Sequence, residues 1–338
     1  MILSVQYMRA IAALLVVVSH VALKGEQYSS NPLGWFNVGG AGVDLFFIIS
    51  GYIMCHTVDH KQVDFVGFIK ARLKRIIPLY WVLTTAALIV FIVFPEKINS
   101  SGGATNIIHS YTLFPTVDKY LIQNGWTLSY EFFFYSIFAS CLALTVSFRY
   151  LLPAVIILGL VSIGYYGGSN NFQIQFLTNS LLIEFVFGIL IFYFFKTKSL
   201  SYFFGGGLII LSIFMLTLVN NYQFEVPRVV SYGMPALLFF IGMMALEPLF
   251  KKIETVKMLI LLKNLGNSSY SLYLCHPFSL VLCSIVFKKL GLHEFGYSFV
   301  FLLLIGAIVS GHLCYVMIEK KLIKLLNPTR SYQGVNNI

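Results

Sequence analysis

Long apolar runs separated by short polar stretches dominate this chain from one end to the other. A transmembrane helix needs about 20 mostly apolar residues, and ten runs of roughly that length are present. They lie near residues 4–23, 38–57, 76–95, 126–146, 150–166, 174–195, 201–219, 229–247, 265–287 and 296–318. The pattern contains no internal repeat, and it predicts an all-α, polytopic integral membrane protein with about ten transmembrane helices.

The composition agrees with this pattern and excludes several classes of protein. Of the 338 residues, 58% are hydrophobic and only 11% are charged, whereas soluble domains carry about 25% charged residues. An ordinary cytosolic enzyme, a disordered chain and a nucleic-acid-binding domain are therefore excluded. Because no interruption is long enough for a soluble domain, we expect one transmembrane domain over residues 1–326 and a short cytoplasmic tail over 327–338.

The positive charges predict the orientation of the chain, since Lys and Arg accumulate on the cytoplasmic side. We interpret the net charge of +10 as a sign of membrane topology. With the N-terminus in the cytoplasm, seventeen of the 23 Lys and Arg residues fall on the cytoplasmic side. An even number of helices then places both termini in the cytoplasm. The six on the outer side are Lys24, Lys97, Lys119, Arg228, Lys288 and Lys289.

The five cysteines lie in or beside apolar runs and form neither a CxxC pair nor a zinc-like spacing. We interpret them as small buried hydrophobic residues and predict no metal site.

Two polar residues in the first predicted helix are candidates for chemistry, because ionisable groups within a membrane span are costly. Arg9 and His20 are eleven residues apart. At 100° per residue, the two side chains differ by only about 20° around the helix, and about 16 Å separates them along its axis. One helix face is thus predicted to carry a cation near the cytoplasmic surface and a titratable base near the outer surface.

Carboxylates at a similar predicted depth could orient this histidine. Asp44 and Glu131 are each expected about 8–9 Å below the outer surface, so that either could hydrogen-bond one ring nitrogen of His20 and leave the other as a general base. Glu184 and His276 are both expected near the middle of the membrane. They are interpreted either as a second polar pair of the site or as an ion pair that serves packing, with packing slightly favoured.

The segment 65–78 is basic and amphipathic, and it has two readings. It could anchor the chain on anionic lipid. Alternatively, Arg72 and Arg75 are neighbours on a helix face and could grip one polyphosphate, for which Arg is well suited. The spacing alone does not favour either reading. Pro78 is predicted to open the third transmembrane helix.

Five sequence blocks resemble, in order, those of the membrane acyltransferase-3 family. The opening QYMRAIAALLVVVSH is similar to that family's Arg–ten residues–His pattern. The blocks that follow are GGAGVDLFFIISGYIM, ARLKRIIPLYW, WTLSYEFFFY and LGNSSYSLYLCHPF. The resemblance runs from about residue 4 to residue 323, and the first two blocks are most similar to exopolysaccharide and O-antigen acetyltransferases.

The resemblance implies an enzyme of the bacterial inner membrane that takes an acyl group, usually acetyl, from cytoplasmic acyl-CoA. The acceptor would be a hydroxyl of an extracytoplasmic polysaccharide or of its lipid-linked precursor. By the same resemblance, His20 would be catalytic, and Arg9, Arg72 and Arg75 would bind the coenzyme. Trp126, Ser129 and Glu131 fall in a block of the family, and their individual roles stay open.

Two other functions compete with this interpretation. A transporter or flippase of a glycan intermediate would use the intramembrane charges to line a path, but such proteins often have paired halves, and no repeat is present. A structural membrane protein would leave these charges unexplained. For the enzyme, direct transfer with His20 as general base is favoured over an acyl-enzyme on His20.

Overall fold

The computed structural model describes residues 2–28, 32–60, 63–95, 102–144, 150–222 and 226–326. Four of the charges used to predict orientation (Lys61, Lys97, Arg149 and Arg330) lie outside these residues, as does the predicted tail 327–338. The described residues are helical and contain no β-strand, as the sequence predicts. The α-helices are α1 Leu3–Gln27, α2 Ala41–His60, α3 Phe65–Val93, α4 Ile107–Thr112, α5 Gly125–Leu142, α6 Leu152–Gly167, α7 Phe172–Leu177, α8 Ile183–Thr197, α9 Tyr202–Tyr222, α10 Met234–Ala245, α11 Glu247–Lys252, α12 Lys257–Lys289, α13 Gly296–Cys314 and α14 Lys320–Leu326.

Every apolar run predicted from the sequence coincides with a helical segment. Seven segments of the described chain are long and apolar enough to cross a membrane. They are Leu3–Gln27, Ala41–His60, Phe65–Val93, Phe172–Thr197, Tyr202–Tyr222, Lys257–Lys289 and Gly296–Leu326. Leu152–Gly167 and Val229–Ala245 are shorter apolar helices, and the run near 126–146 forms α5. The protein is therefore a multi-pass membrane protein, while ten spans and cytoplasmic termini stay predictions.

The third helix differs from the sequence prediction at its beginning. Pro78 does not open it, because α3 runs without interruption from Phe65 to Val93 with Pro78 in its interior. The helix begins instead at Phe65, and it is capped by Asp64, whose side chain accepts a hydrogen bond of 3.0 Å from the amide of Gly67. A capping carboxylate satisfies an amide that has no partner within the helix, and this fixes the start upstream of the proline.

The chain divides into two compact units, Met1–Phe46 with Ser199–Ile338, and Phe47–Lys198. The core of the first unit lies where α1, α12 and α13 pack together, and Val17, Leu272 and Phe299 are among its fully buried side chains. Helix α1 approaches α12 very closely, because a Cβ at Gly266 would overlap the carbonyl oxygen of Gln6. Small residues at such crossings allow membrane helices to pack backbone against backbone.

In the second unit, two glycines bring α2 and α8 together. A Cβ at Gly51 would overlap the carbonyl oxygen of Phe185, and one at Gly188 would overlap that of Ile48. The Phe185 ring then packs against Phe134 of α5, with ring centres 4.4 Å apart. The second unit is thus built on an α2–α8 crossing covered by aromatic side chains.

Candidate active site

The two histidines on α1 and α12 form a hydrogen-bonded pair inside the first unit. Nδ1 of His20 lies 2.6 Å from Nε2 of His276, although the two residues are 256 positions apart in the chain. Nδ1 of His276 lies 3.1 Å from the carbonyl oxygen of Leu272. His276 is fully buried, whereas His20 is half-buried. The pair therefore has one ring enclosed by protein and one ring partly accessible.

The two imidazole rings meet edge to edge. Their centres are 4.9 Å apart and their planes are inclined by only 26°. The distance between the ring centres exceeds the 2.6 Å between the two nitrogens by about twice the distance from an imidazole centre to one of its nitrogens. The two nitrogens therefore lie almost on the straight line that joins the ring centres. Such a line lies near both ring planes, where the N–H bond and the nitrogen lone pair point. The contact therefore has the geometry of a hydrogen bond between rings.

The sequence led us to expect a carboxylate as the partner of His20, and here the structure differs. Both oxygens of Asp44 are engaged by Arg228, at 2.6 Å from Nη2 and 3.3 Å from Nε. Arg228 also donates to the carbonyl oxygen of Gly40 at 3.1 Å. Asp44 is fully buried, and a fork-shaped guanidinium satisfies both of its oxygens better than one imidazole N–H would.

This ion pair belongs to a set of contacts that hold residues 35–44 in place. The side-chain amide of Asn220 donates to the carbonyl of Trp35 at 2.7 Å and accepts from the amide of Asn37 at 2.9 Å. The Tyr232 hydroxyl donates to the carbonyl of Asn37 at 3.1 Å. A Cβ at Gly39 would overlap the side chain of Ser19, which lies on α1. The segment is therefore fixed beside the end of α1 that carries His20.

The other end of α1 is capped by a residue from a distant part of the chain. Glu247 accepts hydrogen bonds from the amides of Leu3 at 3.1 Å and Ser4 at 2.7 Å, and Lys251 lies 3.7 Å from the same carboxylate. A carboxylate at a helix N-terminus satisfies orphan amides and interacts favourably with the helix dipole. Arg9 is half-buried just beyond this cap.

The second unit contains its own polar group around Glu131. Ser50 donates to Glu131 at 2.9 Å and lies 3.4 Å from the Tyr135 hydroxyl. The Tyr135 ring contacts Phe68, with centres 6.2 Å apart, and the guanidinium carbon of Arg72 lies 5.7 Å from the Phe68 ring centre. The structure thus connects Glu131 to Arg72 through a continuous chain of side chains.

The cations on the basic face of α3 differ in burial. Arg72 and Arg75 are half-buried and share a stripe with Phe68, whereas Lys70 and Lys74 are exposed. A residue that only attracts lipid headgroups needs no burial, so the two arginines and the two lysines are expected to differ in role.

The remaining sequence candidates lie in the second unit. Trp126 packs edge-on against Tyr130, with ring centres 6.0 Å apart. The Ser129 hydroxyl lies 2.9 Å from the Tyr120 hydroxyl, and burial raises the pKa of Tyr120 while the bond with Ser129 lowers it. Glu184 is fully buried in the first turn of α8, whereas the hydrogen bonds described for His276 go to His20 and Leu272.

Sequence reasoning missed the partners that hold the site. From the sequence, Arg228 is one of the outer positive charges, Glu247 has no predicted role in the site, and the Leu272 carbonyl carries no side-chain signal. A detectable signal exists only for Arg228, which is the one charged residue among the described residues 226–233 that precede α10. No group of three metal-ligating side chains is present in the described ranges.

Comparison with known proteins identifies the class of this chain. A family model described as an acyltransferase domain matches residues 2–318. The exopolysaccharide production protein ExoZ of Rhizobium meliloti is 29% identical over 303 residues, which cover 86% of this chain and 91% of that protein. No solved structure matches the chain.

Two further relatives are named for acetyl transfer. The O-acetyltransferase OatA of Staphylococcus aureus is 25% identical over 80% of this chain, and the match covers 49% of that protein. The O-acetyl transferase of Shigella phage Sf6 is 27% identical over 38% of this chain. Since the family model extends over nearly the whole sequence, the chain belongs to the acyltransferase-3 family of membrane proteins.

Proposed function

We propose that this protein is a transmembrane O-acyltransferase that moves an acyl group, typically acetyl, from cytoplasmic acyl-CoA to a sugar hydroxyl outside the cytoplasmic membrane. The acceptor would be a surface polysaccharide or its lipid-linked precursor. Support for this acceptor comes from a relative whose name refers to exopolysaccharide production. Support for acetyl comes from the two relatives named as acetyltransferases.

One observation carries the proposal: Arg9 and His20 lie on one face of a single continuous helix, α1. No Gly or Pro interrupts the helix between them, so the rise of about 16 Å is maintained by regular backbone. An extended pantetheine arm can cover much of this distance. The coenzyme phosphates would bind cations at one end of α1, and the thioester would reach the imidazole at the other end.

We assign phosphate binding to Arg9 in the first unit and, separately, to Arg72 and Arg75 in the second unit. Planar guanidinium groups bind phosphate oxygens in pairs, which suits a polyphosphate ligand. Glu131, with Ser50 and Tyr135, would form a polar wall of the second unit. Trp126, Ser129 and Glu184 belong to the same unit, and we assign them to substrate binding.

In the reaction, His20 would act as the general base. Its Nε2 would remove the proton from the acceptor hydroxyl while the hydroxyl oxygen attacks the thioester carbonyl carbon. The new C–O bond forms, the C–S bond breaks, and the coenzyme thiolate leaves. The proton held by His20 then passes to that thiolate, which restores the neutral imidazole for the next turnover. We assign to Asp44 a positioning role through Arg228, which holds the segment beside His20.

The test is release of coenzyme A from acetyl-CoA by the purified protein in the presence of polysaccharide, with mass analysis of the product. We expect one acetyl group added per modified sugar. His20→Ala should lower kcat by at least about 100-fold, while His312→Ala, at an exposed histidine of the same unit, should match the wild type. Equal activity of His20→Ala and wild type would overturn the assignment of the base.

A further inference from the structure

The geometry points to His276 as a positioning residue that fixes the tautomer of His20, so that the base is oriented by a neutral histidine instead of a carboxylate. This inference rests on the proposed function for its catalytic meaning, but its structural content can be tested without any reaction. It assigns a role to a fully buried histidine whose ring is hydrogen-bonded at both nitrogens.

The first step concerns the proton on His276. A carbonyl oxygen has lone pairs and no hydrogen, so the contact between Leu272 and Nδ1 of His276 requires that Nδ1 carries the proton. The carbonyl itself is held in place by a neighbouring helix, because a Cβ at Gly311 would lie 2.7 Å from the Cα atom of Leu272. The donor nitrogen of His276 is therefore set by backbone that cannot change its hydrogen-bonding character.

The second step concerns charge. His276 is fully buried, and its described hydrogen bonds go to a carbonyl and to another imidazole, with no carboxylate among them. A buried cation without a counter-charge is costly, so the ring is neutral. A neutral ring with a proton on Nδ1 has only a lone pair at Nε2.

The third step concerns the tautomer of His20. Since Nε2 of His276 is an acceptor, Nδ1 of His20 must donate across the 2.6 Å contact. In a neutral ring this leaves Nε2 of His20 with the lone pair. No hydrogen bond from the described residues reaches that nitrogen, and the ring is half-buried. The base nitrogen of His20 is thus specified by a relay that starts at the Leu272 carbonyl.

The sequence around His276 explains why the relay can form. Pro277 follows it directly and lies inside α12. Proline has no amide hydrogen, so the carbonyl of Tyr273 loses its helical partner, and the proline ring crowds that carbonyl. The turn over residues 273–277 therefore lacks one backbone hydrogen bond, and the ring of His276 lies back over the preceding turn, where Nδ1 meets the Leu272 carbonyl. We infer that Pro277 helps His276 to reach the Leu272 carbonyl.

An unrestrained imidazole in water prefers the proton on Nε2, which would block the nitrogen that must act as base. Removal of the acceptor at His276 should therefore lower the population of the active tautomer without removing His20. In kinetic terms, we expect kcat to fall while KM for both substrates stays unchanged, because His276 is fully buried and its ring is bonded to His20 and Leu272.

Two variants and one control test this inference. His276→Leu removes the acceptor and should lower kcat by about 100-fold. His276→Gln places an amide oxygen where it can accept from Nδ1 of His20, and it should keep kcat within about tenfold of the wild type. His312→Gln, at the exposed histidine, should have no effect. If the role is only structural, both His276 variants should lose protein yield and kcat to the same extent.

A second measurement does not depend on the reaction. Nitrogen-15 NMR of ring-labelled histidine distinguishes a nitrogen that carries a proton from one that carries a lone pair, and His20→Gln identifies the signal of His20. We expect the His20 proton on Nδ1 in the wild type and a shift towards Nε2 in His276→Leu. A wild-type proton on Nε2 would overturn the inference, whereas the expected spectrum in a protein without transferase activity would overturn only the proposed function.

Discussion

Two polar pairs hold the first unit together across long stretches of sequence, and they differ in charge. His20–His276 is a hydrogen bond between two imidazole rings, which we infer to be neutral, whereas Arg228–Asp44 is an ion pair. In each pair one partner is fully buried, His276 in the first and Asp44 in the second.

Because of this difference in charge, the loss of one partner should cost less stability in the histidine pair than in the ion pair. Removal of one neutral ring leaves an unsatisfied hydrogen-bonding group, which costs about 1–3 kcal/mol. Removal of one ion leaves a buried charge, which costs about 3–5 kcal/mol. We therefore expect that one member of the neutral pair can be replaced with the fold retained, whereas replacement of one member of the charged pair costs more stability.

The largest expected effect is on stability at the charged pair. Arg228→Met should lower the free energy of unfolding by about 3–5 kcal/mol, because Asp44 is left charged and buried. Thermal unfolding in detergent measures this loss. His20→Ala should lower the free energy of unfolding by only about 1–3 kcal/mol, although we expect it to lower kcat by at least about 100-fold.

Two further variants sharpen the result. The double variant Arg228→Met with Asp44→Leu should recover much of the lost stability, since both charges are gone. Asp44→Asn keeps the shape and an acceptor for Arg228, so it should retain kcat. A kcat for Asp44→Asn as low as that of His20→Ala would mean that Asp44 acts in the chemistry, and the separation between the two pairs would fail.

A smaller effect is expected where α1 crosses α12. Gly266→Ala places a methyl group against the Gln6 carbonyl, and overpacking of this kind costs about 1–3 kcal/mol. The helices must move apart, so the hydrogen bond between His20 and His276 should lengthen and kcat should fall. Gly206→Ala is the matched control, since no atom lies within 4 Å of a Cβ built there. Equal kcat values for the two variants would show that the neutral pair tolerates movement of α1.

The smallest effect is expected at the arginines of α3. Arg72→Ala and Arg75→Ala should each raise KM for acyl-CoA about tenfold, and the Lys variants should recover only part of it, because Lys keeps the charge but loses the planar fork. Lys70→Ala and Lys74→Ala, on the exposed side, should leave KM unchanged. Full rescue by Lys, with defects in protein level alone, would instead support a lipid anchor.

The sequence was sufficient for features set within one helix. The face shared by Arg9 and His20 depends only on helical periodicity, and the structure has both residues on the unbroken helix α1. The partner of His20 was not predictable in this way, because the contact with His276 joins helices far apart in the chain. The position of Asp44 along its helix predicts how deep it lies in the membrane, but it does not predict which neighbouring helix its side chain faces. The start of α3 was missed because Asp64 is a stronger helix start than Pro78.

The cap on α1 has a consequence for the order in which the protein is made. Helix α1, which carries Arg9 and His20, is synthesised well before Glu247, the residue whose carboxylate satisfies the first amides of that helix. His276, which completes the histidine pair, is synthesised later still. While residues 28–246 are being synthesised, the first amides of α1 and the His20 ring therefore lack the partners that they have in the folded protein. The histidine pair and the cap of α1 can form only after residues 247–276 have been synthesised and have packed against α1.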